Sequence, residues 1–400
     1  MIAPVMPTYA RYPVAFVRGE GARLFDAEGR DYIDFGAGIA VVSFGHGHPH
    51  LVAALKAQAE KLWHVSNLYQ IPEGERLARR LIAASGFADT VFFCNSGAEA
   101  LEAAIKTARS HHHARGRPER QKIITFEGAF HGRTLATIAA GGRKAYLEGF
   151  GEPCPNFQKL ALHDYEAVRH AVDEHTAAVL IEPVQGEGGV RVVEAEFLRH
   201  LRKICDERGA LLIFDEVQCG MGRTGRMFAH QRAGVRPDVM ALAKALGGGF
   251  PIGACLATEE AAAGMTAGRH GSTFGGNPLA MAVGNAVMDL LEDPAFLPGV
   301  ERRAERLQQM LGELVARFGE VFSGVRGVGM MLGLVCRVPN TELTKAALAE
   351  RVLVIGAGEN VVRLLPPLVI SDSEMEEGMA RLARAAEKVA AAARAEKDGA

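Results

Sequence analysis

Between Thr90 and Thr258, short apolar β-rich runs alternate with amphipathic stretches at helical spacing, and no other feature of this chain narrows its fold as far. The runs fall at residues 90–94, 122–126, 177–182, 210–215, 239–243 and 253–257, with helical patterns at 99–114, 165–174 and 194–207. Such alternation predicts a mainly parallel sheet with helices on its faces. Residues 278–291 and 300–318 then read as long helices and 374–397 as a closing one. Residues 328–335, 352–355 and 361–364 read as strands of a second unit. The first forty residues read as short strands around Gly19-Glu20-Gly21 and Glu28-Gly29, too few to fold alone. The expected division is an N-terminal segment (1–45) packed on a small C-terminal domain (291–400), with a large domain (46–290) between them.

In an open parallel sheet, ligands bind outside the carboxyl ends of the strands, so the residues just past those ends carry the functional reading. The run at 239–243 ends in a lone lysine, Lys244, followed by Gly247-Gly248-Gly249. A lysine there is costly unless its charge is paired or removed. The run at 210–215 ends in Asp215, with Glu216, Val217 and Gln218 after it. A desolvated amine that can form a Schiff base, beside a carboxylate that can hold a pyridine nitrogen protonated, is what pyridoxal phosphate chemistry requires. A snorkelling lysine and a turn-capping aspartate would explain either residue alone. The other strand ends tip the balance. After 90–94 comes Asn95-Ser96-Gly97-Ala98-Glu99, a capping-box pattern whose small Gly97 and Ala98 leave helix N-terminal amides open to a phosphate. After 122–126 come Phe130, able to stack on an aromatic cofactor, and Arg133, able to fork onto a carboxylate. After 177–182 comes a glycine-rich loop with one acid, Glu187.

Composition narrows the partners. A formal net charge of −2 is the wrong balance for a phosphate-backbone surface, so nucleic acid is not expected. The longest stretch free of Asp, Glu, Lys and Arg, residues 35–55, holds three histidines, a proline and several glycines, and is no membrane span. Met1-Ile2-Ala3-Pro4 lacks the basic and apolar regions of a signal peptide. Six scattered cysteines without a Cys-x-x-Cys pair fit reduced thiols. The expectation is a cytoplasmic α/β enzyme.

Taken with Ala129-Phe130-His131-Gly132-Arg133-Thr134, Glu182-Pro183-Val184-Gln185-Gly186-Glu187-Gly188-Gly189, Phe214-Asp215-Glu216-Val217-Gln218, Ala243-Lys244-Ala245-Leu246-Gly247-Gly248-Gly249 and Gly271-Ser272-Thr273-Phe274-Gly275-Gly276-Asn277-Pro278, these blocks resemble the class III, ω-amino-acid aminotransferases over nearly the whole chain. Within that class the chain is most similar to the acetylornithine aminotransferases. The resemblance implies the fold type I of pyridoxal-phosphate-dependent transferases: a mainly parallel, seven-stranded sheet in the large domain and a small α+β domain built from both chain ends. It also implies that Lys244 binds the cofactor covalently, Asp215 meets the pyridinium nitrogen and Gln218 lies near the phenolic oxygen. Phe130 would stack on the ring, Gly97 and Ala98 would hold the phosphate, and Glu216 and Val217 would belong to the same seat. Ser272 and Thr273 would come from the partner subunit of a homodimer, Thr273 to the phosphate and Ser272 toward the substrate. Members of the class often carry Thr where Ala98 stands, so one hydroxyl near the phosphate is missing here.

The implied reaction moves the terminal amine of N2-acetyl-L-ornithine to 2-oxoglutarate. The acyl group, acetyl or succinyl, stays open, as do N-succinyl-diaminopimelate, ornithine and 4-aminobutyrate as substrates. Glutamate reacts at its α-carbon, beside a carboxylate; acetylornithine reacts at a carbon that bears none. One site must therefore offer a distal cation to both substrates, assigned to Arg133, and a proximal cation to glutamate alone, assigned to Arg363. Glu187 is expected to pair with Arg363 when acetylornithine is bound.

Two motifs point elsewhere. Gly220-Met221-Gly222-Arg223-Thr224-Gly225 matches a dinucleotide fingerprint, which makes a nicotinamide-dependent dehydrogenase the rival reading. Only residues 226–233 separate it from a turn, too few for the long helix that fingerprint opens, and Asp238 precedes the next strand instead of ending it. His46-Gly47-His48-Pro49-His50 reads as a turn entering a helix and His111-His112-His113 as a helix end; neither has the companions of a zinc site.

Overall fold

The computed structural model describes residues 4–398, with side chains to residue 395. The chain opens with β1 (Phe16–Glu20), β2 (Arg23–Asp26) and β3 (Asp31–Asp34). Next come β4 (Thr90–Cys94), β5 (Lys122–Phe126), β6 (Phe157–Leu160) and β7 (Thr176–Ile181). A two-residue pair, β8 (Val184–Gln185) and β9 (Arg191–Val192), precedes β10 (Leu211–Asp215), β11 (Val239–Leu242) and β12 (Gly253–Ala257). The C-terminal strands are β13 (Phe322–Val328), β14 (Met331–Cys336), β15 (Val352–Leu353), β16 (Ile355–Ala357) and β17 (Val361–Leu364).

Seven strands form the large sheet in the order β4-β12-β11-β10-β7-β5-β6. Only β12 runs antiparallel to its neighbours. Apart from Thr176 and Asp215 at strand ends, the central strands of the sheet are apolar because helices cover both faces, and alternation assigns each residue to one of them. Leu211, Ile213, Ala178, Leu180, Val239 and Ala241 join one core, together with Ala100, Ala104 and Ala108 of the helix Gly97–Ala114. Leu212, Phe214, Val179, Ile181, Met240 and Leu242 join the other. Continued past the strand ends, the same parity aims Glu182, Asp215 and Val217 at the helix Gly97–Ala114, and Glu216 away from it. Alanines on that helix let it lie close to the sheet, which brings its N-terminus down to the strand ends.

The N-terminal sheet has the order β1-β2-β3-β15, so a strand from beyond residue 350 completes it, parallel to β3. Directly after β3 the backbone turns left-handed through Ala37 (φ +46°), Gly38 (+63°), Ile39 (+64°) and Ala40 (+61°). Each non-glycine residue there is strained by roughly 1–2 kcal/mol. Asp34 offsets part of this, because its Oδ1 accepts from the amides of Gly36 and Ala37 at 2.9 and 2.8 Å.

Four details differ from the sequence reading. The strand β6 was not expected; it is an edge strand with Gln158 and Lys159 outward, so no apolar run marks it. The expected strand 328–335 is a hairpin instead, β13 pairing with β14 across a turn at Gly329 (φ +61°), which the apolar run conceals. The expected strand 352–355 splits at Val354, β15 joining the N-terminal sheet and β16 pairing with β17. The helix expected over 165–174 is Tyr165–Ala171, because Asp173 and Thr176 close a turn before β7.

Candidate active site

A cavity of about 400 Å³ opens at the carboxyl ends of β4, β5, β7, β10 and β11. Its walls include Gly97, Ala98, Phe130, Arg133, Asp215, Val217, Gln218 and Lys244, so most of the residues singled out from sequence meet there. Val41, presented by the left-handed turn, also lines it.

Ser96 caps the helix Gly97–Ala114 by accepting from the Glu99 amide at 3.3 Å, and Glu99 reaches back to the Asn95 amide at 3.1 Å. That leaves the Gly97 and Ala98 amides among the unsatisfied donors of the first turn, where an anion is favoured. Gly97 must be glycine: a Cβ there would stand 2.8 Å from Val217 Cγ1.

Asp215 is buried beneath this point. Its Oδ1 accepts from the Val217 amide at 3.0 Å, and its Oδ2 accepts from His131 Nδ1 at 2.8 Å. Burial alone would lower the imidazole's pKa. The bond to Asp215 and the negative charges of Asp215 and Glu182 outweigh it, so His131 titrates above its ordinary range. His131 Nε2 is buried without a protein partner among the described residues. Neither His131 nor Glu182 was given a role from sequence. The usable signal was parity: Glu182 lies on the same sheet face as Ala178 and Leu180.

Lys244 begins a single 3₁₀ turn with φ +46°, and its side chain forms no hydrogen bond or ion pair among the described residues. Burial pushes its pKa down to about 8 from 10.5; the Arg363 charge adds to this, while Glu187, Asp215 and Glu182 oppose it. Covalent labelling of Lys244 in the cofactor-free protein should therefore rise through pH of about 8, read by peptide mass spectrometry. A midpoint near 10.5 would contradict the burial argument. Linkage gives the companion sign. Between about 8 and 10.5 the unfolded chain holds a proton that the folded one has released, so this group makes stability rise with pH there.

Glu216 does not join the cavity. Its carboxylate accepts from the Ala229 and His230 amides at 2.5 and 2.7 Å on the opposite face, where burial raises its pKa to about 8. Strand alternation thus turns the Glu216 side chain away from the cavity, leaving only its backbone on that side. Arg363 and Glu187 do not line the cavity either; they meet at its edge. Arg363, 1% exposed, contacts Glu187 Oε1 at 2.6 Å and donates to Gln218 Oε1 at 3.0 Å. Arg133 is exposed and sits over the Tyr146 ring at 3.7 Å, with no carboxylate partner among the described residues. Ser272 and Thr273 lie outside the cavity in a surface loop, where Ser272 Oγ accepts from the Gly275 amide at 3.0 Å and from Asn95 Nδ2 at 3.2 Å.

The dinucleotide-like run forms an internal joint. Arg223 is fully buried and donates to the Met330 and Pro366 carbonyls and to Ser43 Oγ, at 3.1, 2.5 and 2.7 Å. Only the four-residue helix His230–Ala233 follows it. His46 Nε2 meets Asp34 at 2.8 Å, and His112 Nε2 meets the Ala177 carbonyl at 3.0 Å. No helix among the described residues is long and apolar enough to cross a membrane.

Residues 5–386 match the family described as Aminotransferase class-III. The acetylornithine aminotransferase of Mesorhizobium japonicum is 58% identical over 383 residues, covering 96% of each chain. The crystal structure of N-acetylornithine aminotransferase from Stenotrophomonas maltophilia K279a superposes with a TM-score of 0.84 at 41% identity, covering 96% of this chain and 98% of that one. The ornithine aminotransferase from Toxoplasma gondii ME49 gives a TM-score of 0.92 at 32% identity, covering 96% and 93%.

Proposed function

The chain belongs to the class-III aminotransferases, and on that premise we propose that it transfers the terminal amino group of N2-acetyl-L-ornithine to 2-oxoglutarate, giving N-acetyl-L-glutamate 5-semialdehyde and L-glutamate. The contact between Arg363 and Glu187 carries this choice of substrate pair. Enzymes of the class use pyridoxal 5'-phosphate, whose aldehyde accepts an amino group and whose ring takes up the electron pair left by a departing proton.

The residues present fit that group. Open amides stand at a helix N-terminus that Val217 closes to any larger residue, a buried carboxylate lies below, and an amine without a protein partner faces the same cavity. In this reading Gly97 and Ala98 would hold the phosphate and Phe130 would cover the ring. Asp215, backed by His131, would keep the ring nitrogen protonated, and Gln218 would serve the phenolic oxygen. Lys244 Nζ would hold the group covalently, and its free amine would be the base that removes the proton from the amine-bearing carbon.

Arg133 takes the distal carboxylate of either substrate. Arg363 takes the carboxylate beside the reacting carbon of glutamate, and Glu187 occupies it when the substrate bears none there. Leaving Arg363 desolvated without a partner would cost roughly 2–5 kcal/mol, enough to make Glu187's presence matter. Arg363→Ala should cripple the glutamate half-reaction far more than the acetylornithine one. Glu187→Gln should shift preference toward α-amino donors, and Arg133→Ala should weaken both. Single-turnover spectroscopy on each variant decides the matter: equal loss in both half-reactions for Arg363→Ala would sink the switch.

A homodimer belongs to the same proposal, with Ser272 of the partner subunit and Thr273 of the partner subunit completing the seat. An exposed apolar surface supports it. Trp63, Leu68 and Tyr69 lie 65%, 86% and 69% exposed, and Asn67 between them bonds the Ser272 and Gly275 carbonyls beside exposed Phe274. A cytoplasmic location is supported by free thiols at all six cysteines. The division near residues 45 and 290 is supported by the pairing of β3 with β15.

A further inference from the structure

Glu182 stands at the end of β7, between β5 and β10, with 4% exposure and no side chain among the described residues hydrogen-bonded to it. A buried carboxylate is costly unless its oxygens are bonded; here one backbone amide reaches each oxygen, while burial and the nearby Asp215 charge push the Glu182 pKa up to about 8. Oε2 accepts from the Phe130 amide at 2.9 Å, and Oε1 accepts from the Gly186 amide at 3.4 Å. Those amides belong to different segments. One presents the aromatic ring of Phe130; the other starts the loop that carries Glu187. Gly186 is pressed from its other side as well, since a Cβ there would stand 2.1 Å from Gln218 Oε1, the oxygen that accepts from Arg363. A continuous path therefore runs from Phe130 through Glu182, Gly186 and Gln218 to the Arg363–Glu187 pair.

We propose that Glu182 is a positioning residue that fixes the Glu187 loop against the Phe130 segment, and so sets how readily Glu187 yields Arg363 to a substrate carboxylate. The proposal rests on the Arg363 switch described above. It goes further in assigning control of that switch to a residue that contacts neither Arg363 nor Glu187. A second tie, Gln185 Nε2 to the Glu127 carbonyl at 2.9 Å, holds the loop nearer its base and is the natural competitor.

Glu182→Gln keeps the shape but offers one acceptor oxygen, and its amide NH₂ would face the other backbone donor. The longer bond, to Gly186, should yield first. Hydrogen exchange on the cofactor-free protein should then speed up in the Gly186 peptide on the order of tenfold, the loss of one backbone-to-carboxyl hydrogen bond. In single turnovers, donor preference should shift toward glutamate, as in Glu187→Gln. The double variant should shift no further than Glu187→Gln alone, since both act on one switch. Gly186→Ala disturbs the same loop from the Gln218 side and should shift preference in the same direction, which keeps the test intact if Glu182→Gln fails to fold. If Glu182→Gln and Gly186→Ala slow both half-reactions equally, or their effects add to that of Glu187→Gln, the proposal is overturned and Glu182 only caps a strand. If Gln185→Ala reproduces the shift and Glu182→Gln does not, the loop is placed by Gln185. If Glu187→Gln itself leaves preference unchanged, the switch reading falls and the proposal falls with it.

Discussion

Lys244→Ala should lose turnover by on the order of 10⁴-fold or more while remaining folded, because in the proposed reaction one side chain supplies both the nucleophile and the base. The fold has little to lose by the change. The ammonium is disfavoured where it sits, with its pKa pushed down to about 8 by burial, and the side chain makes no hydrogen bond among the described residues. Alanine keeps the strained φ of +46° without adding bulk. The variant should still take up pyridoxal phosphate, held by its phosphate and ring contacts alone. Borohydride reduction followed by peptide mapping checks the assignment in the unaltered protein. Among the described residues Lys244 is the one lysine on the cavity wall, so recovery of the label on another lysine would refute it.

Asp215→Asn should slow proton abstraction from substrate by at least ~10²-fold, the scale for losing one positioned electrostatic or acid–base group. The substitution is nearly isosteric, and the asparagine oxygen can keep the Val217 amide bond seen at 3.0 Å. What disappears is the charge, and with it the partner that holds the His131 pKa up against burial. Two readouts separate chemistry from packing. Loss of the substrate's reacting proton, followed by deuterium washout, should fall. The His131 imidazole, followed by NMR titration, should deprotonate at lower pH than in the parent. Near-normal half-reaction rates would instead reduce Asp215 to a strand cap.

Strand alternation explains why so much of the site was legible in sequence. A buried parallel strand must be apolar along its length, so a polar residue directly after it is conspicuous, and parallel strands deliver all such residues to one edge. Lys244, Asp215, Phe130 and the Gly97-Ala98 helix start were found this way, and all four reach one cavity. Edge and junction segments carry no such signal. The strand β6 hides behind Gln158 and Lys159, and the turn at Gly329 hides within an apolar run. Glu216 shows the opposite failure: it lies in the right block, yet the pleat turns its carboxylate to the far face, onto the Ala229 and His230 amides.

The sequence by itself determined the architecture, the family and which residues stand at the strand ends, because each rests on local pattern: period, strand end, helix start. Only the tertiary structure decided who touches whom. Asp215 meets His131 across 84 positions, and Arg363 meets Gln218 across 145. Glu182 accepts from the Phe130 and Gly186 amides, in two different segments. Contacts of that range depend on the crossing of packed layers, and a buried charge takes whichever partner the packing brings within about 3 Å, since leaving it unpaired would cost several kcal/mol.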